Sequence, residues 1–459
     1  MNFSYLRREP GFYRRVFTLA LPVVLQNLIT TSLGFMDTFM VGLVGQEQMS
    51  AVTVANVPIY IIQLIVFGLQ SGSRVLISQF WGRGDRESIN RVMGIGFFVA
   101  GGISTLCALT MGLFPRQVLM LITDNARLVE LGTSYIRIVG FSYILNSLSS
   151  IYIGMQQSIE NPRFGMTVFA ISTVCNTVGN YILIFGKLGL PALGITGAAI
   201  ATFSSRVVEF VISLVYALHC KQMPLLPACI LRPGKATFRS FVKFSTPVLL
   251  NETLWGTGTS LYTVIMGHMA GSTDLISAYT VAGNIDKMVT VAIFGVAAAV
   301  IVGKEVGMGG KNAYPIGQAL TFVAFCTGFG VAIAEQLLFW LVLKPHVLPL
   351  FSMTAASASL CVTMMICYSI SAPLHAFATT GIVGVLRGGG DVRIAMLIDV
   401  LPLWCFTLPL LVLLGLVLHA PIAIFCFIMA TESALKVPFG LHRIRSGKWI
   451  HDVTQDLNA

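Results

Sequence analysis

Charge is scarce in this sequence. Asp, Glu, Lys and Arg make up 10% of its 459 residues, against 55% that are hydrophobic, whereas a soluble domain carries roughly 25% charged residues. That shortage excludes an ordinary soluble enzyme or binding module. The nine cysteines include no C-x-x-C pair, and the seven histidines form no cluster at metal-ligand spacing. A disulfide or metal framework is therefore not expected, and the cysteines read as small buried hydrophobes. No short apolar region with a small-residue cleavage site follows the N-terminal arginines, so the first span is expected to stay in the membrane. The glycines Gly388–Gly390 are followed by no G-K-[ST], so they read as a loop turn at the cytoplasmic face and not as a phosphate cradle.

What the sequence has is long apolar runs. Twelve of them, from 16–43 and 51–80 through to 394–415 and 421–440, are long enough to cross a hydrocarbon core of ~30 Å. They lack the alternation of barrel strands, so the chain reads as an all-α polytopic membrane protein. The net charge of +10 is distributed by side and does not point to nucleic acid. With alternate loops assigned to opposite faces, 21 of the 29 lysines and arginines fall on the side of the two termini. The opposite loops hold only Arg116, Arg127, Lys187 and Lys344. Both termini are expected in the cytoplasm, with the chain in the plasma membrane.

The sequence is also duplicated. ALPVVLQN at 20–27 aligns with STPVLLNE at 245–252, SAVTVA at 50–55 with SAYTVA at 277–282, and GMQQSIENPR at 154–163 with GVLRGGGDVR at 384–393. The offsets drift slowly, at 225, 227 and 230. This spacing predicts two six-helix bundles, 1–219 and 239–459, joined by a cytoplasmic linker at 220–238. Six spans per half is an even number, so the repeats are expected to be parallel and to enclose a central cavity. Pro22 and Pro247 hold equivalent positions, as kinks or as hinges.

Charges inside a membrane are costly and mark function by default. Asp37 shares a helical face with Thr30 and Gly34 and has no basic residue within helical reach. A buried carboxyl in that position suits proton uptake. Asn176 and Asn180, one turn apart on the fifth span, with Thr202 on the sixth, would instead suit an oxygen site for Na⁺. Such asparagines can equally be glue between transmembrane helices. Glu252 stands where the first repeat has Asn27, with Trp255, Gly256 and Thr259 on its face. An acid beside an aromatic ring suits a lipophilic cation. Asp286 and Lys287 are adjacent in the eighth span and point about 100° apart, so Lys287 is a possible neutralising partner for Glu252. Arg206 and Glu209 are expected to pair with each other, while Glu335 and Asp399 have no obvious partner.

LRGGGDVRIAM at 386–396, the two proline-containing helix starts, GFMDTFMVG at 34–42 and SQFWGRGDRESINRV at 78–92 resemble the multidrug and toxic compound extrusion (MATE) family. The resemblance covers essentially the whole chain. It implies a secondary antiporter that exports organic cations in exchange for inward H⁺ or Na⁺, with no cofactor, no metal and no enzymatic step. It implies that Asp37, Asn176, Asn180 and Thr202 form the coupling-ion site, and that Glu252 matches a helix-seven glutamate of one branch of the family. That branch's helix-ten aspartate would fall at Ala376, with His375 and Thr379 the nearest polar groups, so the sequence departs from the pattern there.

A monomer working on small organic cations in the lipid bilayer is the leading expectation. A lipid or lipid-linked sugar flippase of a related duplicated fold is the alternative, and would need arginines lining its cavity. An integral membrane enzyme would need clustered nucleophile motifs near a membrane face, and none is present. A channel would leave the duplication and the central acids unexplained.

Overall fold

The computed structural model describes residues 11–455 apart from Ala270, Phe294 and residues 348–353. The first ten residues, which contribute Arg7 and Arg8 to the N-terminal charge count, lie outside the described residues. Among the described residues twelve long helices follow one another: α1 Phe12–Gly42, α2 Gln46–Arg83, α3 Arg86–Leu113, α4 Ala126–Ser158, α5 Pro162–Phe185 and α6 Gly194–His219. After them come α7 Lys235–Gly267, α8 Ser272–Thr290 resuming as Gly295–Gly307, α9 Ala313–Leu338, α10 Ala355–Phe377, α11 Val392–Val417 and α12 Ile422–Ser446. Eleven are long and apolar enough to cross a membrane. The exception, α7, has 33 residues but carries Asn251, Glu252 and a run of Thr and Gly that dilutes its apolar content. The protein is a multi-pass helical membrane protein, as its hydropathy predicts.

Local chemistry sets where the helices start and stop. Asp85 caps α3 by accepting from Ser88 N at 3.0 Å, Asn125 caps α4, and Thr354 caps α10. Pro162 opens α5, where a missing N–H costs nothing, and Gly84 and Gly186 close α2 and α5 in the left-handed conformation. α1 and α7 run unbroken through Pro22 and Pro247. Wide π-type turns instead occupy Phe339–Val347 and Ala378–Leu386, which extend α9 and α10, and Pro402–Thr407 and Leu413–Val417 within α11. Pro345 and Pro402 lie within two of these turns, and the carbonyls freed by Pro345 and Pro409, four residues earlier at Leu341 and Cys405, fall within the same two.

The chain divides into two compact units. One comprises Leu25–Leu249, and the other comprises residues up to Val24 together with Leu250–Gln455. The cuts fall inside α1 and α7, at positions equivalent under the 225-residue offset, and not at the linker. Within the first unit α4 packs against α2, α3, α5 and α6. Its most apolar stretch is 67% buried, more than that of any other candidate span. Within the second, α10 packs in the same way against α8, α9 and α12, and α11 packs against α12 as α5 does against α6. The duplication read from sequence is thus repeated in the helix-packing pattern. The linker belongs to the first unit. Its short helix Pro227–Leu231 lies against α3, where Asn90 donates to Pro224 O at 3.2 Å and accepts from Leu226 N at 3.1 Å.

Candidate functional site

In the Leu25–Leu249 unit a cavity of about 520 Å³ is lined by α1, α2, α4, α5 and α6. α1 presents Thr30, Gly34 and Asp37 to it, the single face expected from their spacing. Asp37 accepts a hydrogen bond from Asn180 Nδ2 at 2.5 Å, and the same amide reaches Asn176 Oδ1 at 3.0 Å. Asn176 Nδ2 continues to Thr202 Oγ1 at 3.3 Å. The four residues nominated from sequence therefore form one connected chain across α1, α5 and α6, with both asparagines buried.

This arrangement can carry a small cation or a proton. Asn180 Oδ1 is buried and accepts no hydrogen bond, so together with Asp37 and Thr202 it supplies oxygen ligands of the kind a hard cation takes. A half-turn of the Asn180 amide would present that oxygen to a protonated Asp37, so the carboxamide can satisfy either state of the acid. Arg206 is the cation on the cavity wall, and Glu209 already holds it at 2.7 Å, as the sequence predicts. Glu209 is fully buried and also receives Asn146 at 3.1 Å. Tyr143, which accepts from Gln63 at 2.5 Å, and Tyr135, near Asn56 at 3.4 Å, complete the polar wall. No sequence pattern pointed to these four, because they come from two helices 80 residues apart.

The second unit holds a buried charge cluster. Glu252 and Trp255 lie on one partly open face of α7, at 14% side-chain and 38% residue exposure. Thr259 shares that face but spends its hydroxyl on the carbonyls of Trp255 and Gly256. The cation facing Glu252 is Arg387 and not Lys287: Nη1 stands 2.6 Å from Oε1. Lys287 is exposed and Asp286 half-buried, as expected of neighbours pointing apart. Arg387 Nη2 lies 3.8 Å from Asp399 Oδ2. Lys436 bridges Asp399 at 2.7 Å and Glu432 at 2.6 Å, Asn251 donates to Asp399 at 2.8 Å, and Tyr262 donates to Glu432 at 2.7 Å.

Two sequence expectations are corrected here. Neither Asp399 nor Glu335 is partnerless: Glu335 is fully buried and accepts from Ser369 at 2.9 Å. Two residues counted as cytoplasmic loop charges, Arg387 and Lys436, are 2% and 3% exposed and belong to this cluster.

A family model for MatE matches residues 22–182. A "Probable multidrug resistance protein NorM" of Thermotoga maritima is 24% identical over 315 residues, 67% of each chain. "Multidrug resistance protein MdtK" of Edwardsiella ictaluri is 26% identical over 415 residues, 88% of each chain. The fold superimposes on a crystal structure of MATE in complex with MaL6 at a TM-score of 0.84, with 16% identity over 97% of this chain and 99% of the other. An outward-facing multidrug resistance MATE family transporter gives 0.83 at 16% identity, over 97% and 98% of the two chains. Residues 22–182 thus match the MatE family model, and the chain as a whole shares the fold of MATE transporters.

The chain departs from one branch of that family at helix ten. Ala376, where that branch's aspartate would fall, is fully buried. It faces Gly328 of α9, where an added Cβ would come within 2.9 Å of the Ala376 methyl and closer still to Pro373 Cα. The helices approach too closely there for a carboxyl. His375 lies beside the gap, 3.5 Å from Thr379.

The MATE-like LRGGGD turn also finds its explanation. A Cβ at Gly388 would meet Ala299 O at 2.6 Å, one at Gly389 would run into the Trp449 ring, and Gly390 has φ +93 with His451 O 2.7 Å from its Cβ position. Trp449 is fully buried and donates to Ile444 O. His451 N reaches Gly389 O at 2.7 Å, and Arg443 holds Asp391 at 2.6 Å. The segment after α12 thus clamps the turn that carries Arg387. The first-repeat counterpart of Gly390 is Glu160, which keeps the left-handed conformation at φ 64 without being glycine.

Proposed function

We propose that the protein is a cation-coupled exporter of amphipathic organic cations, working by alternating access in the plasma membrane, with H⁺ or Na⁺ as the coupling ion. The observation that carries this reading is Asp37. It lines a cavity of about 520 Å³ and is hydrogen-bonded by a neutral carboxamide, while the nearby arginine is engaged by Glu209. An acid so placed can be discharged by a proton or a monovalent cation without breaking an ion pair. The relatives named as multidrug resistance proteins support the substrate class. The partly open face of Glu252 and Trp255 offers charge and ring-face attraction to a lipophilic cation.

Reconstitution in proteoliposomes tests this directly. Uptake of a fluorescent lipophilic cation should be driven by an imposed pH or Na⁺ gradient, and should vanish when both are absent. Transport indifferent to both gradients would refute it. The lipid-linked sugar flippase is disfavoured by Arg206 and Arg387, because each already has a carboxylate within 2.7 Å and so is not offered to an anionic pyrophosphate.

A further inference from the structure

Arg387 sits on the acid that a cationic substrate would use, and its surroundings give it a second place to go. Its Nη1 pairs with Glu252 at 2.6 Å, but its Nη2 is buried without a hydrogen-bond partner and already lies 3.8 Å from Asp399 Oδ2. That oxygen holds one hydrogen bond, from Asn251 at 2.8 Å, and a carboxylate oxygen has room for a second. The distance to close is about one ångström by comparison with an ordinary charged hydrogen bond of ~2.8 Å.

The charge count points the same way. The cluster contains the carboxylates Glu252, Asp399 and Glu432 but only the two cations Arg387 and Lys436. Lys436 is shared between Asp399 and Glu432, so the cluster is one cation short of one-to-one pairing. One more cation at Glu252 would pair every acid: the ligand with Glu252, Arg387 with Asp399, and Lys436 with Glu432. Trp255, on the open side of Glu252, would face the ligand's apolar body.

We propose that Arg387 is a tethered counter-ion that holds Glu252 in the substrate-free protein and transfers to Asp399 when a lipophilic monocation binds. This rests on the substrate reading of Glu252 above and adds to it a mechanism of exchange and a charge selectivity. Arg387 sits between the wide Ala378–Leu386 turn and the glycine turn clamped by Trp449, so the transfer places substrate occupancy next to the junction of α10 and α11.

The experiment is equilibrium binding of radiolabelled tetraphenylphosphonium to the purified full-length protein in detergent. Arg387→Gln removes the competitor and is expected to tighten binding about tenfold, while Arg387→Lys keeps it and stays within about threefold of wild type. Adding Glu252→Gln to Arg387→Gln should cancel the gain. If Arg387→Gln does not fold, Arg387→Gln/Asp399→Asn keeps the cluster's net charge and should show the same tightening. Binding to wild type with unchanged or weaker binding to the folded Arg387 variants overturns the counter-ion role alone, as does a gain that survives Glu252→Gln. No binding to wild type or to any variant overturns the substrate reading, and this inference with it.

Discussion

Gln157 donates to Gln26 across 3.1 Å in the first half of the chain, and the repeat-equivalent of Gln157 in the second half is Arg387, which reaches Glu252. Glu252 follows Asn251, the equivalent of Gln26, so one helix junction has been kept and its chemistry changed. The first copy is a node of two carboxamides, in which Gln157 also accepts from the Arg74 guanidinium at 3.1 Å. The second is a charged one open to exchange. Replacing Gln157 by Ala should cost about 1–3 kcal/mol, the usual penalty for buried polar groups left unsatisfied. An unchanged melting temperature in detergent would show that the node is not structural.

The clamp on the LRGGGD turn makes a second expectation. Trp449→Ala empties a fully buried site and should cost about 3–5 kcal/mol. Gly389→Ala should also destabilise, because its methyl would enter the Trp449 ring. Since the two share one space, the double variant should be much less destabilised than the sum, and a double-mutant cycle by thermal unfolding measures this. Additive losses would mean that the ring and the glycine do not constrain each other.

Introducing the helix-ten acid is a third case. Ala376→Asp puts a carboxyl against Gly328 and Pro373, where even a methyl on Gly328 does not fit. Yield and melting temperature should drop sharply. A well-folded Ala376→Asp protein would contradict the close approach of α9 and α10.

The fold was legible in the sequence, because span length and the drifting 225–230 offset report on hydrocarbon thickness and ancestry and need no side-chain detail. Part of the Asp37 chain was legible for a similar reason: Thr30, Gly34 and Asp37 share a face, as do Asn176 and Asn180, by helical periodicity, whereas the meeting of the three helices was implied by the family resemblance. The charge cluster was not. Arg387 meets Glu252 over 135 positions and Asn251 meets Asp399 over 148. Arg387 also lies at a helix end, where a charge reads as a loop cation until packing buries it. The meaning of three successive glycines was hidden as well, since each avoids a different neighbour and two of those neighbours belong to the C-terminal segment.

Topology yields a fourth expectation. Both termini and the linker should face the cytoplasm. Cys229 lies in the linker helix and is half-exposed, so an impermeant thiol reagent should miss it in intact cells and reach it after permeabilisation. Rapid labelling from outside would invert the assignment. Cys175, Cys326 and Cys405 are exposed on helices within the spans, so the test should use a variant with these three replaced by Ser or Ala.

The central claim is that Asp37 couples export to the ion gradient. Its most direct test is gradient-driven efflux from proteoliposomes containing Asp37→Asn, with Asn180→Ala alongside. Asp37→Asn should still insert, remain monodisperse and bind tetraphenylphosphonium, yet lose gradient-driven transport entirely. Asn180→Ala removes the 2.5 Å contact to Asp37 and should slow transport by tenfold or more. Undiminished gradient-driven transport by Asp37→Asn would contradict the account.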